Sequence, residues 1–152
     1  EMELKEHFPA SFVDTAKAFD QYLSVVPEAA VAVKSGVAAM HDVTEGGLFG
    51  ALWEMAEASG VGLEIDLKKI PIRQETVEIC EYFDVNPYGL ISSGMMLMAS
   101  EDGNALVHAL AEANIPATVI GKATEGNDRV IVRGEERRFL EPPKTDELYK
   151  VL

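Results

Sequence analysis

Apolar positions along the chain recur with two periods, and where the period changes the elements change. Phe12, Ala16 and Phe19 return near helical spacing. "VVPEAAVAVKSG" resumes that spacing after Pro27, a residue suited to a first helical turn, so two helices are predicted over 1–36, closed by Gly36. "VAAMHDV" (37–43) reads as a short strand. From 45 to 59 Leu48, Leu52 and Met55 share one side of a helix, with Phe49, Trp53 and Ala56 beside them. Only Glu54 and Glu57 break that apolar surface, which predicts a helix covered on more than one side and ended by Gly60. "VGLEIDL" (61–67) switches to a period of two, with Glu64 and Asp66 on a solvated face.

A helix is predicted after Pro71 with Val77, Cys80 and Phe83 inward, and "MMLMA" (95–99), apolar on both faces, reads as an interior strand. Leu106, Ala109, Leu110 and Ala113 mark another amphipathic helix. "PATVIG" (116–121) and "RVIVR" (129–133) read as two strands forming a hairpin through the turn-rich "EGND". The tail has prolines followed by a short helix pattern. The order α-α-β-α-β-α-β-α-β-β predicts an α+β fold, a three-layer α/β/α arrangement around a mixed sheet. We expect a single domain over 1–152, with its core in 38–140, helices in 1–36 and a tail at 141–152.

Composition narrows the function. A length of 152 residues suits one domain with one core. The net charge of −13 speaks against nucleic-acid or anionic-membrane partners, yet a local cluster of backbone N–H groups still holds an anion inside a screening length of about 10 Å. Cys80 is the single cysteine and forms no internal disulfide, which fits a reducing cytoplasm. No apolar run approaches the roughly 20 residues that span a bilayer, and no basic-then-apolar leader is present. Residue 1 is Glu rather than Met, which fits a piece of a longer chain.

The chemistry gathers in "AAMHDVTEGGLFGALWEMAEASG" (38–60), where His41, Asp42 and Thr44 precede Gly46 and Gly47 at the mouth of the most apolar helix. A helix N-terminus exposes about four unpaired N–H groups and about half a positive charge, and glycine lets an anion approach them. Gly46 and Gly47 would then give backbone donors, Thr44 a hydroxyl, and His41 or Asp42 orientation to a nucleotide phosphate or its metal. The same residues also read as plain structure: Thr44 as N-cap, Glu45 satisfying the dipole, the glycines permitting close helix–sheet packing. Local physics alone favours that second reading.

Ser92 and Ser93 would donate to a ligand in the same cleft, or satisfy their own backbone in the turn "NPYGLISSG". His108 has no second ligand at metal spacing, so no protein-only transition-metal site is expected. His7 carries no signal. Glu125, Asn127 and Asp128 read as turn chemistry, "EERR" (135–138) as a solvated charge run, and Met95, Met96 and Met98 as core fill.

"HDVTEGGL", then "SGVGLEIDLKKIPI", "GMMLMAS" and "ANIPATVIGKATEG" together resemble the C-terminal domain of the AIR synthase-related (PurM-like) superfamily. The likeness covers most of the chain from about residue 38 and is nearest to the hydrogenase-maturation, HypE-like branch. It implies ATP-dependent phosphorylation of an amide or acyl oxygen. Most ATP and Mg²⁺ ligands would come from an N-terminal domain absent from this chain, which would also form the core of a homodimer. Implied partners are that domain and other maturation proteins, with cofactor-side contacts from His41, Asp42, Thr44, Gly46 and Gly47 and substrate-side contacts from Ser92 and Ser93. No tightly bound cofactor is expected on this chain by itself. Two positions depart from the branch: the chain ends "DELYKVL" without a cysteine, and Ser92-Ser93-Gly94 stands where an Asn-Glu-Gly is usual. A purine-pathway, selenophosphate or thiamine-phosphate enzyme, or a non-catalytic partner-binding module, are the rival readings.

Overall fold

The helix that holds the fold together is α4, Gly47–Ser59, whose Leu48, Ala51, Leu52 and Ala56 are all nearly inaccessible. Their spacing covers more than one side of the helix, as the sequence predicts, because a sheet packs on each flank. On one flank lie Val43 and Leu97, on the other Leu63, Ile65 and Ile131, and all belong to one core. The computed structural model describes residues 2–142 and 144–152.

Before α4 come α1 (Met2–His7), α2 (Ala10–Lys17), a 3₁₀ turn (Ala18–Tyr22), α3 (Val26–Lys34) and β1 (Ala39–Val43). The first of the two helices expected in 1–36 is thus broken into shorter pieces. Pro9, lacking an N–H, starts α2 afresh, whereas Pro27 sits in the first turn of α3 where no donor is needed. Gly36 follows α3 with φ 72°, the expected close. The rings of His7 and Phe8 pack on Tyr82, tying the N-terminal helices to the middle of the chain.

After α4 come β2 (Gly62–Asp66), α5 (Gln74–Tyr82), β3 (Met95–Ala99), α6 (Gly103–Glu112), β4 (Gly121–Thr124), β5 (Arg129–Arg133) and β6 (Glu136–Phe139). The strands form two sheets among the described residues. β1 pairs antiparallel with β3, with Ala39 opposite Ala99 and Val43 opposite Met95. The other sheet runs β4-β2-β5-β6 and is mixed, β2 and β5 lying parallel. The β1–β3 ribbon is covered on one side by α4; on the other, Met98 packs with Ala32 of α3 and Leu106 and Leu110 of α6. Helix, ribbon and helices make the three layers.

Three expectations change. The strand expected at 116–121 starts only at Gly121, because Ile115, Ala117 and Ile120 serve as packing side chains and the ladder uses the polar "GKAT" instead. β4 and β5 form no hairpin; they flank β2 on opposite edges. The hairpin is β5–β6, turned at Gly134 (φ 65°), so the charge run, solvated as expected, is also an edge strand. Exposed on its whole length, it lacks the alternation that marks half-buried strands.

Candidate functional site

β1 delivers the chain into the glycine turn. Val43 is 1% exposed and anchors it; Thr44 and Glu45 are exposed; Gly46 (φ 83°) and Gly47 (φ 61°) are both left-handed. Two successive left-handed residues exclude ordinary side chains. At Gly47 a second reason applies, since a Cβ would come within 2.6 Å of Leu90 O and 2.7 Å of Tyr88 O. The helix therefore starts at Gly47, not residue 45. Its N-cap is Gly46 and no side chain caps it, so Thr44 and Glu45 do not have the capping and dipole roles expected of them.

Open amides were expected here, and the structure corrects that. The Gly46 N–H donates to Asp146 Oδ2 at 2.6 Å. The Gly47 N–H donates to Thr44 O at 3.1 Å inside the turn, and the Phe49 N–H to Tyr88 O at 2.9 Å. The segment 88–90 thus lies directly on the turn. Ser92 Oγ donates to Leu90 O at 2.8 Å, so this hydroxyl satisfies nearby backbone; Ser93 is exposed.

His41 and Asp42 do not act from one side. Neighbouring strand residues face opposite ways, and the register sets His41 opposite Leu97 and Asp42 opposite Met96. His41 is on the α4 side: its Nε2 lies 3.0 Å from Glu54 Oε2 and its Nδ1 2.6 Å from Asp42 O. Both partners only accept, so a ring nitrogen bonds to either one only through its own N–H. Asp42 is exposed on the other face.

The residues not found by sequence reasoning come from the tail. Asp146, 5% exposed, also accepts from Leu148 N at 2.8 Å and caps a 3₁₀ turn, Glu147–Lys150. Glu147 N donates to Gly89 O at 3.2 Å, while Glu147 Oε2 accepts from Lys150 Nζ at 2.6 Å and Asn86 N at 3.0 Å. Lys150 first, then the Asn86 amide, hold the Glu147 carboxyl below its ordinary range. Tyr149 OH donates to Glu45 Oε1 at 3.2 Å, and that carboxylate raises the phenol. An Asp before a short helical pattern is a readable capping signal, but its reach to Gly46, 100 residues away, leaves no local trace.

Between the turn, β6 and the tail lies a cleft of about 910 Å³, lined among others by Gly46, Phe49, Glu54, Arg138, Lys144 and Asp146. Phe49 stacks on Tyr88 at 5.2 Å, and the Arg138 guanidinium lies 5.7 Å from the Phe49 ring centre. An aromatic wall, a guanidinium and a backbone donor already bonded to a carboxylate suit a ligand with both a flat part and an anionic part. No group of three or more His, Cys, Asp or Glu side chains among the described residues is placed to hold a metal ion.

A putative hydrogenase expression/formation protein of Methanocaldococcus jannaschii is 36% identical over 118 residues, covering 74% of this chain and 35% of the relative. A carbamoyl dehydratase HypE of Rhodobacter capsulatus is 33% identical over 97 residues, 61% of this chain and 28% of the relative. The chain thus spans about a third of the length of these relatives. Among solved structures, the hydrogenase maturation protein HypE of E. coli matches with TM-score 0.67 and 25% identity, over 76% of this chain and 38% of that one. A HypE in complex with ATP shares the fold at TM-score 0.65 and 20% identity, over 72% of this chain and 37% of that one. Residues 5–133 match the C-terminal domain of AIR synthase related protein, and the chain belongs to that family.

Proposed function

We propose that this chain forms one wall of the nucleotide cleft in an ATP-dependent, HypE-like enzyme that phosphorylates an amide or acyl oxygen. One observation carries the reading: the Gly46 amide at the helix mouth takes an anionic oxygen at 2.6 Å. The donor is therefore shaped for such an oxygen, and a phosphate oxygen presents the same chemistry. Gly46 and Gly47 frame the phosphate. Thr44 adds a hydroxyl beside it, and Asp42, exposed at the strand end, is assigned to orient the metal–nucleotide. His41, fixed by Glu54, orients the strand end, and Ser92 and Ser93 border the acceptor. A HypE of this fold, solved in complex with ATP, supports the assignment of ATP as the phosphoryl donor.

The proposed reaction moves the γ-phosphoryl group to the acceptor oxygen, breaking its bond to the β-phosphate oxygen and releasing ADP. The acceptor oxygen then leaves as inorganic phosphate, with loss of a proton from nitrogen in a dehydration or with entry of a nucleophile in a substitution. This chain's part is to bind and align, which is most of what phosphoryl transfer asks of a protein. Most ATP and Mg²⁺ ligands belong, in this reading, to the protein's own N-terminal domain, and a homodimer and maturation-type partners complete the working assembly. Localisation in the cytoplasm is part of the proposal; no helix among the described residues is long and apolar enough to cross a membrane.

Calorimetric titration of the full-length protein with Mg-ATP tests the reading, followed by ATP hydrolysis against candidate amide acceptors. Binding that falls in Thr44→Val and Asp42→Asn supports it; absence of nucleotide heat defeats it. The carboxylate already seated on Gly46 favours one rival, a non-catalytic module that kept the fold, and the same titration separates the two.

A further inference from the structure

The segment lying across the glycine turn is fastened almost wholly by polar contacts. Asp146 holds the Gly46 amide, Glu147 the Asn86 amide and Gly89 carbonyl, and Tyr149 the Glu45 carboxylate. Its apolar anchoring is slight: Leu148 is half-buried, Tyr149 is 58% exposed and Leu152 is 85% exposed. Each polar contact is exchangeable for one with water or ligand, and little apolar area is uncovered when the segment lifts. Such segments belong to the low-cost end of local opening. The same segment supplies Thr145, Asp146, Glu147 and Tyr149 to the lining of the cleft, so lifting it widens the cleft as well as freeing its donor.

Asp146 is set apart from its neighbours in the segment by being buried, with one carboxylate oxygen on Gly46 N and the other on Leu148 N. One N–H serves one strong acceptor well. A phosphate taking the Gly46 donor must therefore remove Asp146 Oδ2, and two anionic groups left side by side would repel each other.

We propose that residues 145–150 are an autoinhibitory strap, in which Asp146 occupies the Gly46 amide in place of a nucleotide phosphate and withdraws from the cleft when the nucleotide binds. The inference rests on reading 41–47 as a phosphate-binding wall. Its consequence is a lowered apparent affinity, since only the fraction of molecules with the strap lifted is competent to bind. The strap also selects among ligands. A ligand without an anionic group gains nothing at Gly46 and leaves Asp146 in place.

The test uses the full-length protein with Mg-ATP, reading calorimetric affinity and amide exchange over residues 146–151 together. The strap predicts that Mg-ATP speeds exchange at the Leu148, Tyr149 and Val151 amides, and that Asp146→Ala binds Mg-ATP about fivefold more tightly. Tyr149→Phe and Glu147→Gln, which loosen the strap without changing any residue of the turn, should shift affinity the same way by less; they decide the matter if Asp146→Ala does not fold. Mg-ATP binding with the strap amides as protected as before, or with no gain in any of the three variants, overturns the strap and leaves the phosphate wall standing. Absence of Mg-ATP binding in the parent and in all three variants removes both.

Discussion

At the scale of single residues, the glycines of the turn differ in what they do, and that difference is measurable. Gly47 combines a left-handed φ with backbone carbonyls 2.6 and 2.7 Å from a would-be Cβ, whereas Gly60 is left-handed with nothing within 4 Å. Gly60→Ala should cost the conformational penalty alone, about 1–2 kcal/mol. Gly47→Ala adds a clash with the 88–90 backbone and should cost more than about 3 kcal/mol by denaturant melts; equal costs would refute the close-packing account. Glu147 gives a pH test. Its carboxyl is held low by Lys150 and the Asn86 amide. A depressed carboxyl stabilises fully above its unfolded value of 4.5 and loses that contribution as pH falls through the lower folded value. Protection of the Asn86 amide should therefore fade as pH drops below 4.5, and Glu147→Gln should abolish that particular pH dependence. The doublet of glycines was legible in the sequence as a special turn. Its hydrogen-bond partners were not, because Asp146 and Tyr88 arrive from distant segments with no local signature.

At the scale of elements, what packs was readable and what pairs was not. The apolar positions of α4 marked a helix with more than one buried side, and the structure sets a sheet on each of them. The stretch from Ile115 to Ile120 misled because a β-branched residue such as Ile115 or Ile120 fits a packed loop as well as a pleated strand. β6 was missed because an exposed edge strand carries no alternation. The contact between α4 and β5 contains one polar link, Arg129. It is 8% exposed, lies over the Trp53 ring at 4.1 Å and donates to Glu57 Oε2 at 2.6 Å, its Nε having no partner among the described residues. Glu57→Ala leaves a buried guanidinium without its counter-charge and, because Glu57 itself is 66% exposed, should destabilise by about 1–2 kcal/mol. Arg129→Met, which removes the charge and keeps the bulk, should cost distinctly less; the reverse order in thermal melts would refute this.

At the scale of the molecule, membership of the family was legible because several motifs kept their order over most of the chain, which no single motif achieves. The whole carries a formal charge of −13 spread over 152 residues. Like charges oppose compaction and salt screens them, so the denaturation midpoint should rise between about 0.02 and 0.3 M sodium chloride. A midpoint unchanged or lowered by salt would mean that local ion pairs such as Glu64 with Arg137 and Lys122 outweigh the overall repulsion.

α4 is gripped by both sheets, with Leu52 only 2% exposed between them. A pull exerted at its first turn is shared at once by strands on either flank, so the frame around the cleft is stiff and yields little. Whatever give this domain has at its entrance must then come from the lightly tethered C-terminal hem, and a chemist seeking to tune ligand entry would alter that hem before touching the helix.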